Sequence, residues 1–169
     1  MKTNICVFGL VDDFSLNLSK RLADELEMFF ADIGALIEFE LMDVGRAKDL
    51  CGSDYVKECE RKAVKNIVSF ENTLCVCSYS LLNDNENLNT IKGSCYTIYL
   101  KFNRATFGKI LRQKELRKAD LELRLDMMHI RDKLCKKYAD IVVSCNSLND
   151  KKIITTIKKK LLGVLKNGN

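Results

Sequence analysis

The sequence predicts an α/β fold in which a parallel β-sheet is flanked by helices on both faces. Short continuous apolar runs, typical of strands that are buried on both sides, alternate with longer segments whose apolar residues recur every three or four positions. That alternation is typical of a parallel sheet covered by helices. The length of 169 residues and the absence of proline-rich or glycine-rich linkers predict one domain over residues 1–169.

The apolar runs predict strands over residues 5–10, 73–78, 95–100 and 139–145. The helical periodicity predicts helices over residues 15–30, 36–42, 53–70 and 151–165, and a basic helical stretch over 105–138 that is interrupted near 112–117. Residues 83–89 are predicted to form turns. Because ligands of such folds bind at the carboxyl ends of the strands, the site is expected among residues 9–15, 32–38, 78–83 and 144–148.

Composition argues against several classes of protein. No run of about 18 apolar residues is present, which disfavours a membrane span, and the short apolar run near Met1 lacks the cleavage site of a signal peptide. We therefore expect a cytoplasmic protein. The eight cysteines form no C-x-x-C pair, and four of them fall in strand-like runs, so buried reduced thiols are predicted and no metal site is assigned. These four are Cys6, Cys75, Cys77 and Cys145.

Charge is distributed unevenly along the chain. Residues 1–100 carry 10 Lys and Arg against 16 Asp and Glu, whereas residues 101–169 carry 18 against 7. A basic half is compatible with a polyanionic partner, either a nucleotide phosphate or a nucleic acid. Solvent-exposed helix faces explain the same excess of Lys and Arg slightly better. Nucleic acid is therefore disfavoured as a partner but left open.

Several short motifs follow one another in a familiar order. The first strand, loop and helix precede Asp32-x-x-x-x-Ile37-Glu38 and Lys57-x-x-Glu60, and Arg131-Asp132-Lys133-Leu134 precedes the last strand. This order resembles the shikimate kinases, a family of small P-loop kinases, over nearly the whole chain. The resemblance implies a three-layer α/β/α fold of the P-loop NTP hydrolase type and a mobile lid at about residues 108–120. It also implies phosphoryl transfer from Mg-ATP.

The phosphate-binding loop departs from the family motif, G-x-x-x-x-G-K-[ST]. In that motif the glycines let backbone N–H groups surround the phosphates, the lysine neutralises their charge and the hydroxyl binds magnesium. Residues 9–16 read Gly-Leu-Val-Asp-Asp-Phe-Ser-Leu, so only Gly9 survives. Phe14 replaces the second glycine, Ser15 the lysine and Leu16 the Ser or Thr.

Asp12 and Asp13 fall where a triphosphate would lie. At about 4 Å each like-charge contact costs about 1–4 kcal/mol, so we predict that the loop does not hold ATP normally. Either aspartate, together with Ser15, is instead expected to cap the following helix and to satisfy its free N–H groups.

The resemblance implies roles for further positions. Asp32 matches an acidic residue that supports magnesium. The acidic residue that grips the substrate hydroxyls aligns with Gly34, and the arginine that clamps the substrate carboxylate aligns with Lys57. Each residue that matches the family motif also has a purely structural interpretation. The remaining family-equivalent positions are a substrate-side glycine triplet that reads Ser78-Tyr79-Ser80, the nucleotide-side arginines Arg117 and Arg131, and the lid residues Arg112 and Arg117.

Three hypotheses follow. The favoured one is a catalytically inactive, shikimate kinase-like protein (a pseudokinase) that binds or regulates a small molecule or a protein, with no cofactor expected and no catalytic residue assigned. The first alternative is a working ATP-dependent shikimate kinase that uses Mg-ATP with an atypical loop. The second is a polyanion-binding or protein-interaction module that uses the basic half. A monomer and a dimer are both compatible with the sequence.

Overall fold

The computed structural model of the protein describes residues 2–114 and 116–167. Its five strands all run parallel in one sheet, in the order β2-β3-β1-β4-β5. This confirms the predicted fold class. The strands are β1 (Asn4–Gly9), β2 (Phe29–Asp32), β3 (Thr73–Ser78), β4 (Cys95–Lys101) and β5 (Ile141–Ser144).

Eight helices are seen in the described residues, together with a 3-10 helix over Tyr79–Asn83. None of these helices is long and apolar enough to cross a membrane. The helices are α1 (Asp12–Leu26), α2 (Ile33–Leu41), α3 (Val44–Cys51), α4 (Ser53–Val68), α5 (Asn85–Ser94), α6 (Arg104–Arg112), α7 (Lys118–Tyr138) and α8 (Asp150–Asn167).

Two hydrophobic cores lie on opposite faces of the sheet. Leu22 of α1, Phe107 of α6 and Ile157 of α8 pack on one face. Ile37 of α2 and Ile91 of α5 pack on the other. Successive side chains of a strand point to opposite faces, so strands that are buried on both sides become the continuous apolar runs seen in the sequence.

The four cysteines predicted to be buried are all free and buried, and so are Cys95 and Cys135. The Sγ atoms of Cys6 and Cys77 lie 3.6 Å apart on neighbouring strands. Hydrogen bonds with Cys75 and Cys77, together with burial, raise the pKa of Cys6 well above its usual value, so this thiol stays protonated at neutral pH. Within the described part of the chain, no group of three metal-ligating side chains is arranged to hold a metal ion.

The predicted helix over residues 15–30 was wrong at both ends. Helix α1 stops at Leu26 because Glu27 adopts a left-handed conformation (φ 54°), and the N–H of Met28 then donates to the carbonyl of Ala23. This geometry ends helices and turns the chain away from the axis. Phe29 and Phe30, assigned by their spacing to the apolar face of the helix, instead begin edge strand β2.

Two further helices were not predicted. Residues 83–89 were expected to form turns, but Asp84 caps α5 by accepting hydrogen bonds from the N–H groups of Glu86 and Asn87 at 3.0 Å. Asp43 caps α3 in the same way through the N–H of Arg46, at 2.9 Å. Asp and Asn favour turns and helix N-caps alike, so composition alone did not separate the two.

Candidate functional site

The stretch that aligns with the phosphate loop is mostly helical. Strand β1 ends at Gly9 and helix α1 begins at Asp12, so only Leu10 and Val11 connect them. The N–H of Ser15 donates to the carbonyl of Val11 at 3.0 Å, as in any helical turn. Residues 12–15 therefore form the first turn of α1, in place of a loop with converging N–H groups.

Ser15 does not cap this helix, contrary to the prediction. The helix starts three residues before it, and no side chain accepts a hydrogen bond at the N-terminal capping position, Val11. Ser15 Oγ donates to the carbonyl of Val11 at 2.9 Å, and Ser15 is only 1% exposed. The position that aligns with the family lysine is therefore inside the protein.

Phe14, which aligns with the second glycine, has a packing role. Its half-buried ring meets the buried ring of Phe102 edge to face, with the ring centroids 5.1 Å apart. Such aromatic pairs contribute about 0.5–1.5 kcal/mol beyond the area that they bury. Phe14 thus anchors the start of α1 to the segment that follows β4.

Gly9, the one surviving residue of the motif, is required for packing. A Cβ at this position would lie 2.7 Å from Ser15 Oγ and 3.3 Å from the carbonyl oxygen of Leu100. We expect Gly9→Ala to lower the free energy of unfolding by about 1–3 kcal/mol, because the contact with Leu100 involves backbone that cannot move aside easily. Urea denaturation at pH 7 measures the change.

Gly163→Ala is the matched control for this prediction. Gly163 lies within α8, and a Cβ there would meet nothing within 4 Å. Alanine should stabilise the helix at that position by about 0.5–1 kcal/mol. Equal effects of the two substitutions would contradict the packing role of Gly9.

An acidic cavity of about 430 Å³ opens at the carboxyl ends of β1, β2 and β3. Four carboxylates line it, and no lysine or arginine is found among its described lining residues. Burial raises the pKa of Asp12, and the charges of Asp13 and Asp32 act in the same direction, while Lys114 and Arg124 oppose them. The lining residues are Asp12, Asp13, Leu16, Asp32, Gly34, Ala35, Glu38, Val76, Cys77 and Ser78.

Asp32, the position that the resemblance assigns to magnesium, caps a helix. Its Oδ1 accepts a hydrogen bond from the N–H of Ala35 at 3.1 Å, which satisfies the N-terminus of α2. A Cβ at Gly34 would lie 3.3 Å from this same oxygen. The glycine that replaces the family's second acidic residue therefore leaves room for the cap.

Lys57, aligned with the substrate-clamping arginine, is not among the residues that line the acidic cavity. Its side chain is 54% exposed on α4, and its Nζ lies 3.6 Å from Asp54 Oδ1. Glu60, on the same helix, has its pKa raised by burial and then by the charge of Asp84, while Lys57 lowers it.

A second cavity of about 470 Å³ is lined by three further family-equivalent residues, Tyr79, Ser80 and Arg131, and we call it the arginine cavity. The guanidinium of Arg131 lies over the ring of Tyr79, 4.9 Å from the centroid. Arg131 Nε is buried and donates no hydrogen bond to any described residue. Arg131 thus lies beside the substrate-side triplet, although the resemblance assigns it to the nucleotide. The lining residues are Tyr79, Ser80, Leu116, Asp120, Leu123, Arg124 and Arg131.

The triplet Ser78-Tyr79-Ser80 is divided between the two cavities. Ser78 lines the acidic cavity, whereas Tyr79 and Ser80 line the arginine cavity. The hydroxyl oxygens of Ser78 and Ser80 are hydrogen-bonded to each other at 2.6 Å. The structure therefore separates residues that the alignment placed in one site.

The region expected to form the lid provides one cation, Lys114, that contacts the start of α1. Lys114 Nζ lies 2.5 Å from Asp13 Oδ2, joining the segment between α6 and α7 to the first turn of α1. Arg117, the residue before α7, pairs with Asp120 in the first turn of that helix at 2.8 Å. Neither Lys114 nor Arg124 was predicted as a site residue, because neither belongs to a motif. Lys114 lies within the predicted lid range, and Arg124 lies outside it.

Comparison with known protein families identifies the family of this chain. The sequence model of shikimate kinase matches residues 17–162, which is most of the chain. The chain belongs to the shikimate kinase family. The match starts at the residue after Leu16, so the stretch that aligns with the phosphate loop lies outside it. A search among curated proteins gives no significant match.

Solved shikimate kinases share the fold over almost their full length. The enzyme from Bacteroides thetaiotaomicron is 19% identical, with a TM-score of 0.79 over 97% of this chain and 98% of that one. The Aquifex aeolicus enzyme is 20% identical, with a TM-score of 0.76 over 96% and 98%. The Acinetobacter baumannii enzyme, solved in complex with shikimate, is 18% identical, with a TM-score of 0.79 over 96% and 94%.

Proposed function

We propose that this member of the shikimate kinase family is a pseudokinase, which keeps the kinase fold as a binding or regulatory domain and transfers no phosphoryl group. The observation that carries the proposal is the helical turn formed by residues 12–15, the stretch that the resemblance aligns with the phosphate loop. Ser15, which the resemblance aligns with the family lysine, is buried, and Asp12 and Asp13 are in the first turn of α1. These residues do not fit Mg-ATP.

Electrostatics support the proposal. A helix N-terminus favours anions, but here two carboxylates of the chain already lie in the first turn of α1, and Asp13 holds Lys114. A bound triphosphate would meet both carboxylates, and the serine at the lysine position supplies no compensating charge. The combined penalty amounts to several decades in affinity.

The charge of the acidic cavity also supports the pseudokinase proposal. Shikimate is a carboxylate, and the cavity at the carboxyl ends of the strands is lined by four acidic side chains. Of the cations that the resemblance assigns to ligands, Lys57 is on the surface and Arg131 is stacked on Tyr79. A cavity of this charge repels the substrate anion.

Calorimetry with Mg-ATP, in the presence and absence of shikimate, tests the proposal. We expect no saturable heat at protein concentrations that detect a Kd of about 1 mM. The Aquifex aeolicus shikimate kinase, titrated in parallel, shows that the ligands are competent, and circular dichroism shows that the sample is folded. Saturable, magnesium-dependent binding followed by phosphorylation of shikimate would overturn the proposal and favour a working kinase with an atypical loop.

A further inference from the structure

An apolar cavity of about 300 Å³ lies at the amino ends of the strands, the edge of the sheet opposite the acidic cavity. Its floor includes Ile5 of β1 and Tyr96 of β4, and one wall is formed by Leu161 of α8. Leu26, Met28, Leu162 and Leu165 complete the apolar lining.

The mouth of this cavity exposes more apolar surface than the fold requires. Leu162 is 59% exposed and Leu165 is 43% exposed, and both are on the side of α8 that lines the cavity. Exposed apolar side chains that are contiguous with an apolar cavity are typical of ligand sites. A single exposed leucine is normal on a protein surface, but Leu162 and Leu165 extend the apolar lining of the cavity to its mouth.

The charged side chains that line the cavity in the described residues are both lysines. Lys2 Nζ lies 5.5 Å from the centroid of the Tyr96 ring and 3.6 Å from Asp140 Oδ2. Lys158 Nζ lies 3.1 Å from Glu25 Oε2. Each ammonium has three N–H donors and one carboxylate partner, so each has donors left for a bound anion.

We propose that this cavity binds a small amphipathic carboxylate, an unbranched acyl chain that fills the apolar hollow while its carboxylate pairs with Lys2 or Lys158. The volume accommodates about ten groups of the size of a water molecule or a methylene, so a chain of about ten carbons fits. This site is separate from the acidic cavity, and the inference stands whether or not the protein is a kinase.

Calorimetric titration of the full chain with sodium decanoate tests the proposal. We expect one site per chain with a Kd of about 0.1 mM, and affinity that rises about two- to fourfold for each added methylene up to decanoate and then levels off. Decan-1-ol should bind more weakly than decanoate, because it lacks the charge that pairs with the lysines.

Two variants locate the site. Leu162→Glu places a carboxylate at the mouth and should weaken decanoate binding at least about tenfold. Leu50→Glu makes the same change at an exposed leucine of α3 that does not line the cavity, and it should leave binding unchanged. Lys158→Met should weaken decanoate about threefold without affecting decan-1-ol.

Three results would overturn the proposal. They are no saturable binding of decanoate up to about 1 mM, equal affinity in the Leu162→Glu and Leu50→Glu variants, or a further steady rise in affinity beyond decanoate, which would indicate non-specific adsorption. Sedimentation that shows a dimer broken by Leu162→Glu, with no decanoate binding, would instead assign this face to a contact between two copies of the chain.

Discussion

Ser15→Lys is expected to lower the free energy of unfolding by at least about 3 kcal/mol, although it introduces the lysine that the resemblance to the family's phosphate loop implies at this position. Ser15 is 1% exposed, and its Oγ lies against Gly9 and the carbonyl of Val11. A lysine at this position must bury an unpaired ammonium or disrupt the first turn of α1, and either outcome costs several kcal/mol. Urea denaturation at pH 7 measures the loss.

Asn17→Lys is the matched control, because it adds the same side chain to an exposed position of the same helix. Its free energy of unfolding should stay within about 0.5 kcal/mol of the parent protein. The contrast between the two variants also tests the proposed function. If Ser15→Lys were as stable as Asn17→Lys and bound Mg-ATP, position 15 would face an anion site and the pseudokinase proposal would be wrong.

The sequence predicted the parallel sheet because its central strands bury both faces. The strand over residues 73–78 was predicted with both ends correct. Leu74, Cys75, Val76 and Cys77 form a continuous apolar run, which is typical of a strand buried on both faces. Strand β2 was missed because its apolar residues continue the helical spacing of α1. Only Glu27 and Met28 separate the two elements, and a glutamate gives no sequence signal for the left-handed conformation that Glu27 adopts.

The sequence predicted that several of the candidate site residues lie at the carboxyl ends of the strands, but it did not predict how they are divided between cavities. The resemblance placed Asp12, Asp32 and Ser78 in one site, and all three line the acidic cavity. It did not predict that Arg131 would lie in a different cavity, because that depends on the ring of Tyr79, whose position is set by the 3-10 helix. Long-range pairs such as Lys114 with Asp13 depend on tertiary structure and leave no local pattern.

The capping residue Asp84 shows how a feature missed in the sequence can govern stability. Asp84 was assigned to a turn, yet its carboxylate accepts two N–H groups of α5 and binds Arg61 through Nη2 at 2.8 Å and Nε at 3.3 Å. The side chain is 19% exposed, so solvent screens these contacts only in part. We expect Asp84→Ala to lower the free energy of unfolding at pH 7 by about 3 kcal/mol, from the lost cap and the lost charge-assisted hydrogen bonds.

The ionisation of Asp84 predicts how the free energy of unfolding depends on pH. The hydrogen bond from Arg61, the N–H groups of α5 and the Arg61 charge lower the pKa of Asp84 to about 2, whereas the usual value is 3.8. A carboxylate with a depressed pKa stabilises the folded state above its unfolded pKa, and that contribution is lost as the pH falls through the folded pKa. Asp84→Asn removes the charge but keeps a side-chain oxygen for the cap. Its deficit should therefore be about 2 kcal/mol at pH 7 and should shrink steadily between about pH 5 and pH 2.

Asp126→Asn is the control for this titration, because Asp126 is 74% exposed and its ion pair with Arg104 lies at the surface. Exposed pairs of this kind contribute about 0–1 kcal/mol, so its deficit should be small at every pH. Urea denaturation of the three proteins at pH 7, 4 and 2.5 gives the comparison. A deficit for Asp84→Asn that stayed constant across that range would mean that the amide perturbs packing, and that the ion pair with Arg61 is not the source of the stability. A deficit that is much smaller at pH 2.5 than at pH 7 would instead show that the α4–α5 contact is held by a carboxylate that must be ionised.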